Sequence, residues 1–295
     1  MAQKINGAHA FMQALIQEGV DTIFGYPGGA IMPVFDALYD YSDKVNHILT
    51  RHEQGATHAA QGYARVSGKV GVSLVTSGPA ATNAITGIAD ALLDSTPLIV
   101  VTGQVGTALL GTDAFQEIDV VGITQPITKW SYQIRKAEDV AWAVARAFYI
   151  ARSGRPGPVV LDFAKSAQTQ EVEFDYKPCK FIRSYIPIPV IKDEQIEKAA
   201  ELINQAKKPF ALVGQGVILA NAEKELLEFL EKADIPAAST LLGLSAMPTD
   251  FRLNKGFLGM HGNMAPNMKT NECDVLIAIG MRFDDRITGD LNTYA

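Results

Sequence analysis

The strongest constraint on how this chain folds is a repeated alternation: a short run of β-branched and aromatic residues, a close of glycine or proline, then a stretch with helical spacing. Apolar residues at Ala10, Phe11, Ala14, Leu15 and Val20 follow a helical period, and Asp21–Tyr26 then reads as a strand ended by Pro27, Gly28 and Gly29. Val70–Thr76 is a second strand-like run, ended by Ser77, Gly78 and Pro79, after which Ala80–Leu93 reads as helix and Leu98–Thr102 as strand. A strand–helix–strand unit of this kind requires parallel strands and a right-handed crossover. A helix over Val140–Ala151 and a strand buried on both faces over Pro158–Phe163 continue the series. The first domain is therefore expected to be α/β, with a doubly wound parallel sheet, over residues 1–166.

Between Ala167 and Pro189 no period survives beyond a few residues and charges mix with Pro178, Pro187 and Pro189, so a linker is expected over 167–190. Beyond it Asp193 is expected to cap a helix that runs to Ala206, with Glu194 and Glu197 in its first turns. Phe210–Val213, Pro236–Ser239 and Asp274–Ile279 read as strands, Glu223–Ala233 as a helix and Gly214-Gln215-Gly216 as a turn. A second doubly wound α/β domain is thus expected over 191–295. It is expected to be truncated, because the chain stops soon after a strand, without the helix and returning strand that would complete the alternation.

Apolar residues make up 47% of the 295 and charged residues 20%, which suits two globular cores. The formal net charge of −6, with no basic run, argues against nucleic acid, whose phosphates need a basic excess. Cys179 and Cys273 match no metal or redox spacing and point to a reduced, cytoplasmic protein. No stretch has the apolar length of a signal peptide or a membrane span, so no membrane association is expected.

Several segments carry residues suited to chemistry. Gly25–Ala30 ends a strand, where open α/β sheets bind ligands, and its glycines serve either a tight turn or the close approach of a ligand. Glu53 opens a helix with small residues Ala59, Ala60 and Ala64, suited to close packing against a neighbour. It is either a first-turn glutamate complementing the helix dipole or a buried acid, at a domain or subunit contact, that exchanges a proton with a heterocycle. Ser77–Asn83 lacks the spacing of a phosphate-binding loop, leaving a helix cap with proline or the polar floor of a pocket. Gly111–Glu117 is compatible with a pocket wall or a solvated connection. Gly214-Gln215-Gly216 matches the dinucleotide fingerprint poorly, because Leu219 stands where the third glycine belongs. Arg282 and Arg286, beside Asp284 and Asp285, suit either a bound anion or surface ion pairs.

The pieces GYPGGA at 25–30, RHEQGA at 51–56, TSGPAATN at 76–83, TGQV at 102–105, GTDAFQE at 111–117, GRPGPV at 154–159, GMHG at 259–262 and RFDDRITG at 282–289 occur in one order along essentially the whole chain. In that combination the sequence resembles the acetohydroxyacid synthase (acetolactate synthase) large catalytic subunits, of the thiamin-diphosphate enzyme superfamily. The resemblance implies a first domain that binds the thiamin pyrimidine and a central domain that binds FAD. A third domain holds the diphosphate and Mg2+ through a Gly-Asp-Gly…Asn motif that this sequence does not contain, so no metal ligand is implied here. The implied reaction condenses pyruvate with pyruvate or 2-ketobutyrate, with loss of carbon dioxide, in branched-chain amino-acid biosynthesis.

By matching position, Glu53, Gln116 and Lys165 are the implied catalytic residues, with Gly29 and Phe115 lining the thiamin and substrate region and Pro79 and Asn83 near the pyrimidine. Arg155, Gly214, Gly216, Thr240, Leu241, Met260, His261, Gly280 and Arg282 are implied to hold FAD, and Phe115, Asp285 and Arg286 the substrate channel. The implied partners are 2-ketoacid substrates, a second copy of the chain and a small regulatory subunit. Three departures stand out: Ala80 for a glycine, Gly106 for a proline and Met281 for a small residue. The rival readings are a related pyruvate oxidase or decarboxylase, and a non-catalytic dimerising module. On its own the 295-residue chain is expected to be inactive.

Overall fold

Six parallel strands form the centre of the first of two units, which divide at Pro189, in a computed structural model that describes residues 3–295. In chain order this unit contains β1 (Gln3–Asn6), α1 (Gly7–Gln17), β2 (Thr22–Gly25), α2 (Met32–Asp40), β3 (Asn46–Leu49), α3 (Glu53–Ser67), β4 (Gly71–Val75), α4 (Pro79–Asn83), α5 (Ile85–Leu93), β5 (Leu98–Gln104), α6 (Val120–Thr124), β6 (Trp130–Ile134), α7 (Val140–Arg152), β7 (Pro158–Ala164), α8 (Lys165–Thr169) and β8 (Glu171–Phe174). The large sheet has the order β3-β2-β4-β5-β7-β6, with every neighbouring pair parallel. Strands β4, β5 and β7 are buried along their whole length, which is why they read as unbroken apolar runs.

Helices cover both faces. Phe11 and Leu15 of α1, Val34 of α2 and Phe148 of α7 pack on Val72, Leu74, Ile99 and Leu161. On the other face Ala60 of α3 and Ile88 and Ala91 of α5 pack on Val100 and Val160. The small residues of α3 therefore serve their own sheet: Ala56, Ala60 and Ala64 are buried, and a Cβ on Gly71 of β4 would lie 2.2 Å from the Ala60 carbonyl oxygen. The expected 80–93 helix is broken at Ala84 into α4 and α5. At the amino end of the sheet, Asp21 accepts from Tyr63 Oη at 2.5 Å and pairs with Lys69, while Glu18 pairs with Arg152 at 2.9 Å and accepts from Tyr176.

The expected linker is largely part of this unit. Ala167 and Gln168 are buried in α8, and β8 pairs antiparallel with β1 from Gln3↔Phe174 to Asn6↔Glu171. Farther on, Ile182 is buried and Tyr185 Oη donates to the Ser153 carbonyl at 2.9 Å.

The second unit, Val190–Ala295, contains α9 (Asp193–Gln205), β9 (Pro209–Val213), α10 (Gln215–Leu219), α11 (Glu223–Ala233), β10 (Ala237–Ser239), β11 (Asn254–Phe257), α12 (Met264–Glu272), β12 (Val275–Ile279) and α13 (Asp285–Thr288). Its parallel sheet has the order β11-β10-β9-β12. Alternate residues of β9 serve opposite faces: Ala211 and Val213 pack with Leu226 and Leu230 of α11, and Phe210 and Leu212 pack with Ala238 and Leu258. The N-cap of α9 is Lys192, so Asp193 lies with Glu194 in the first turn and not at the cap. Gly214 caps α10, so Gln215 begins a helix where a turn was expected.

Candidate functional site

The chain runs from β2 to β3 on one side of the first sheet and then crosses to β4 on the other. Ligands of open α/β sheets bind outside the carboxyl ends of the strands at such a reversal. Three loops meet there, after β2, β3 and β4. Thr50 N donates to the Gly25 carbonyl at 3.0 Å, and Ala30 N donates to Thr76 Oγ1 at 3.2 Å. Gly28 must lack a side chain, since a Cβ would lie 2.4 Å from Thr76 Cγ2, whereas the space beside Gly29 is open. The two glycines thus answer different needs, one packing and one access.

Glu53 is the first residue of α3, and the preceding His52 caps the helix, its Nδ1 accepting from Gln54 N at 3.1 Å. Its residue exposure is 8%, and Asn83 Nδ2 donates to its Oε2 at 2.9 Å. Oε1 has no hydrogen bond among the described residues. Glu53 is thus both a first-turn glutamate and a buried acid, with one oxygen pinned and the other open.

Gly78 precedes α4 with φ 58° and ψ −117°, and Pro79 takes the first helical position. A Cβ on Gly78 would lie 2.6 Å from the Gln116 carbonyl oxygen, so the turn after β4 supports the loop between β5 and α6. In that loop Asp113 and Gln116 are left-handed, at φ 56° and 58°. The Glu117 carboxylate accepts from the amides of Gly111, Thr112 and Ala114, which hold its carboxyl below the usual value. The result is a shaped loop presenting Phe115, 87% exposed, beside Gln116. Lys165 begins α8 at the same edge, exposed and two strands from β4, with no hydrogen bond to Gly29, Glu53, Asn83 or Gln116 among the described residues.

Sequence reasoning missed a buried polar row directly beneath this loop. Asp162 on β7 accepts from Thr102 Oγ1 at 2.8 Å and Gln104 Nε2 at 3.1 Å on β5, and from Gln133 Nε2 at 2.8 Å on β6. Burial pushes the Asp162 carboxyl up to about 6, against the opposing pull of these three donors. The available signal was polar residues at alternate positions of strands that are otherwise apolar.

In the second unit the reversal falls between β9 and β12. Gly214 and Gly216 meet Gly280 there: a Cβ on Gly214 would lie 2.4 Å from the Gly280 carbonyl oxygen, and one on Gly216 2.7 Å from Gly280 Cα. Gly216 N donates to Gly280 O at 2.8 Å, and Gly280 itself is at φ 62°. These glycines are required by the packing of one loop on another. Thr240 N donates to the Val213 carbonyl at 2.8 Å, followed by the exposed Leu241. Met260 N donates to the Arg286 carbonyl at 2.7 Å, and Arg286 Nη1 lies 3.3 Å from Met260 Sδ, with His261 exposed beside them. Arg282 pairs with Asp284 at 3.5 Å and Arg286 with Asp285 at 3.8 Å. In the first unit Arg155 Nε donates to Ser95 Oγ at 2.7 Å and Nη2 to the Leu92 and Leu93 carbonyls at 3.1 Å each, closing the end of α5.

Two doubly wound parallel sheets in series, the first with a half-pinned buried glutamate at its strand reversal, define the class of protein. The family model described as "Thiamine pyrophosphate enzyme, N-terminal TPP binding domain" matches residues 5–123, and that described as "Thiamine pyrophosphate enzyme, central domain" matches residues 196–295. The chain belongs to the thiamine pyrophosphate enzymes. Within them its relatives include the acetolactate synthase large subunit of Corynebacterium glutamicum, 49% identical over 99% of this chain and 47% of the relative. The probable acetolactate synthase large subunit of Methanocaldococcus jannaschii is 51% identical over 99% of the chain and 49% of the relative. The acetolactate synthase isozyme 2 large subunit of Escherichia coli is 50% identical over 99% and 52%. The chain spans about half the length of the curated relatives it matches. Among the described residues no helix is long and apolar enough to cross a membrane, and no three His, Cys, Asp or Glu side chains are grouped to hold a metal.

Proposed function

We propose that this chain forms the pyrimidine-binding side of an acetolactate synthase that condenses pyruvate with pyruvate or 2-ketobutyrate and releases carbon dioxide. The observation that carries the reading is Glu53: a buried carboxylate with Oε2 fixed by Asn83 and Oε1 open, in a chain half identical to acetolactate synthase large subunits. The open oxygen and the bare backbone beside Gly29 fit the hydrogen-bonding edge and flat face of an aminopyrimidine. Thiamin diphosphate and its Mg2+, when bound, would supply the electron sink for losing carbon dioxide from a 2-ketoacid. Glu53 gives and takes the proton at Oε1, and Asn83 holds the carboxylate in place while it does so. Pro79 starts the helix that carries Asn83. Phe115 and Gln116 form one wall of the substrate region, and Lys165 supplies positive charge for a substrate carboxylate.

FAD is proposed at the strand reversal of the second unit, beside Thr240, Leu241, Met260, His261 and Arg282, because that edge is where sheets of this order take ligands. There Gly214, Gly216 and Gly280 let the loops pack closely, while Arg155, in the first unit, closes the end of α5. A cytoplasmic location, a homodimer and a small regulatory subunit complete the proposal; the relatives' being named large subunits supports the last.

The test is acetolactate formation from pyruvate by the full-length protein, with thiamin diphosphate, Mg2+ and FAD supplied. Glu53→Gln keeps shape and removes the ionisable group, so turnover should fall by roughly 10²–10⁴-fold while the protein still folds. A variant that forms acetolactate at near the unaltered rate would overturn the assignment.

A further inference from the structure

The side chain of Gln104 touches both ends of the loop that bears Phe115 and Gln116. Its Oε1 accepts from Val105 N at 2.9 Å, where the loop leaves β5, and its Nε2 donates to the Ile118 carbonyl at 2.9 Å, where the loop returns. The same Nε2 donates to Asp162 Oδ2 at 3.1 Å. Gln104 and Asp162 are both fully buried. A buried carboxylate is costly, and an apolar residue would fill a central strand at less cost. What the carboxylate adds is an acceptor oxygen facing both Gln104 and Gln133, which fixes direction because that oxygen accepts and does not donate.

We propose that Asp162 is a positioning residue: by admitting only the nitrogen of the Gln104 amide, it fixes that amide so that it clamps the two ends of the loop carrying Phe115 and Gln116. With Nε2 turned to Asp162 and Ile118, Oε1 has one place to go, toward Val105 N. With the amide reversed, Val105 would face a second donor and Ile118 a second acceptor, and both loop ends would lose their bond. Thr102 and Gln133 stand directly opposite Asp162 on the neighbouring strands and hold the carboxylate in register without touching the loop. Between the clamped ends lie the two left-handed residues and the contact of Gln116 with Gly78, a geometry that an unclamped loop would not keep. That the loop is a wall of the thiamin pocket rests on the proposed function; the clamp itself does not.

The experiment is hydrogen–deuterium exchange of the 295-residue chain above pH 7, comparing the amides of 105–117 with those of β5 and β7. Asp162→Val removes the acceptor, and Gln104→Met cuts both loop bonds while leaving Asp162 to Thr102 and Gln133. Each should speed exchange in the loop by about tenfold with the strands still protected. Asp162→Asn should retain the unaltered loop rate, since its carbonyl oxygen serves both glutamines and its amide turns to Thr102 Oγ1. Gln133→Leu loosens the row but not the clamp, and should leave the loop unchanged as well. Unchanged loop exchange in Gln104→Met, Asn at 162 releasing the loop as fully as Val, or acceleration spread evenly over β5 and β7 would each overturn the proposal. Failure of the thiamin reading would appear in the Glu53 experiment and leave these rates untouched.

Discussion

Replacing Gly78 with alanine tests whether the turn after β4 and the Gln116 loop are one mechanical unit. Two costs follow from the geometry. A side chain at φ 58° and ψ −117° is held in a region L-residues avoid, at about 1–3 kcal/mol. The new Cβ would also sit 2.6 Å from the Gln116 carbonyl oxygen and 2.8 Å from its Cα, and displacing backbone in a packed site costs about 1–3 kcal/mol more. Together they predict a loss of about 4 kcal/mol, or about 2 M in urea midpoint at a slope of about 2 kcal/mol per M. The assay reads the first unit alone, because the only tryptophans, Trp130 and Trp142, both lie in it. Gly29→Ala is the control: its Cβ meets open space, so its midpoint should stay within about 0.5 kcal/mol of the unaltered chain. Equal midpoints for the two alanine variants would refute the reasoning.

In the second unit Gly280→Ala puts a Cβ 2.7 Å from Val217 N at φ 62°, and should lower amide protection in β9 and β12 by an amount equivalent to about 2 kcal/mol; unaltered protection counts against the loop-packing role. Asp21 has its carboxyl held down to about 2 by Lys69 and then Tyr63, so its stabilising contribution is present above its ordinary value of 3.8 and lost as pH falls toward 2. Asp21→Asn should therefore flatten the urea midpoint between pH 4 and 2, and an acid limb of unchanged slope would show that the pairing is idle. Asp162 has the opposite sign: burial, aided by Asp119, raises it to about 6, so its contribution is full below 3.8 and lost as pH rises through 6. Asp162→Asn should remove that decline between pH 4 and 6; a decline that persists would place its origin elsewhere.

The central strands were legible because β4, β5 and β7 are buried on both faces and carry little but apolar residues. Strands β3 and β11 were not, since Asn46–Leu49 is half exposed at a sheet edge and Asn254–Phe257 shows no alternation. The linker was misread for a nonlocal reason: Glu171–Phe174 is ordered by pairing with Gln3–Asn6 at the other end of the unit, which no local window contains. The site divides in the same way. Glu53 stands out from its own segment, but its burial and its bond to Asn83, 30 residues away, exist only once α3 and α4 lie side by side. The Asp162 row, with Gln104 and Asp162 standing 58 positions apart, was hidden inside strands read for their apolar content.

The ion pairs at the amino end of the first sheet have a bearing on how such a domain can be altered. Asp21, Lys69, Tyr63, Glu18, Arg152 and Tyr176 gather where the strands begin, whereas Glu53, Asn83, Gln116 and Lys165 lie where they end. The six strands between keep the two rims apart, and substitutions at separated sites with no shared partner act nearly independently. The domain therefore offers two mutational compartments: one rim in which a library can raise tolerance to heat or acid, and another in which loops can be diversified on the scaffold so reinforced.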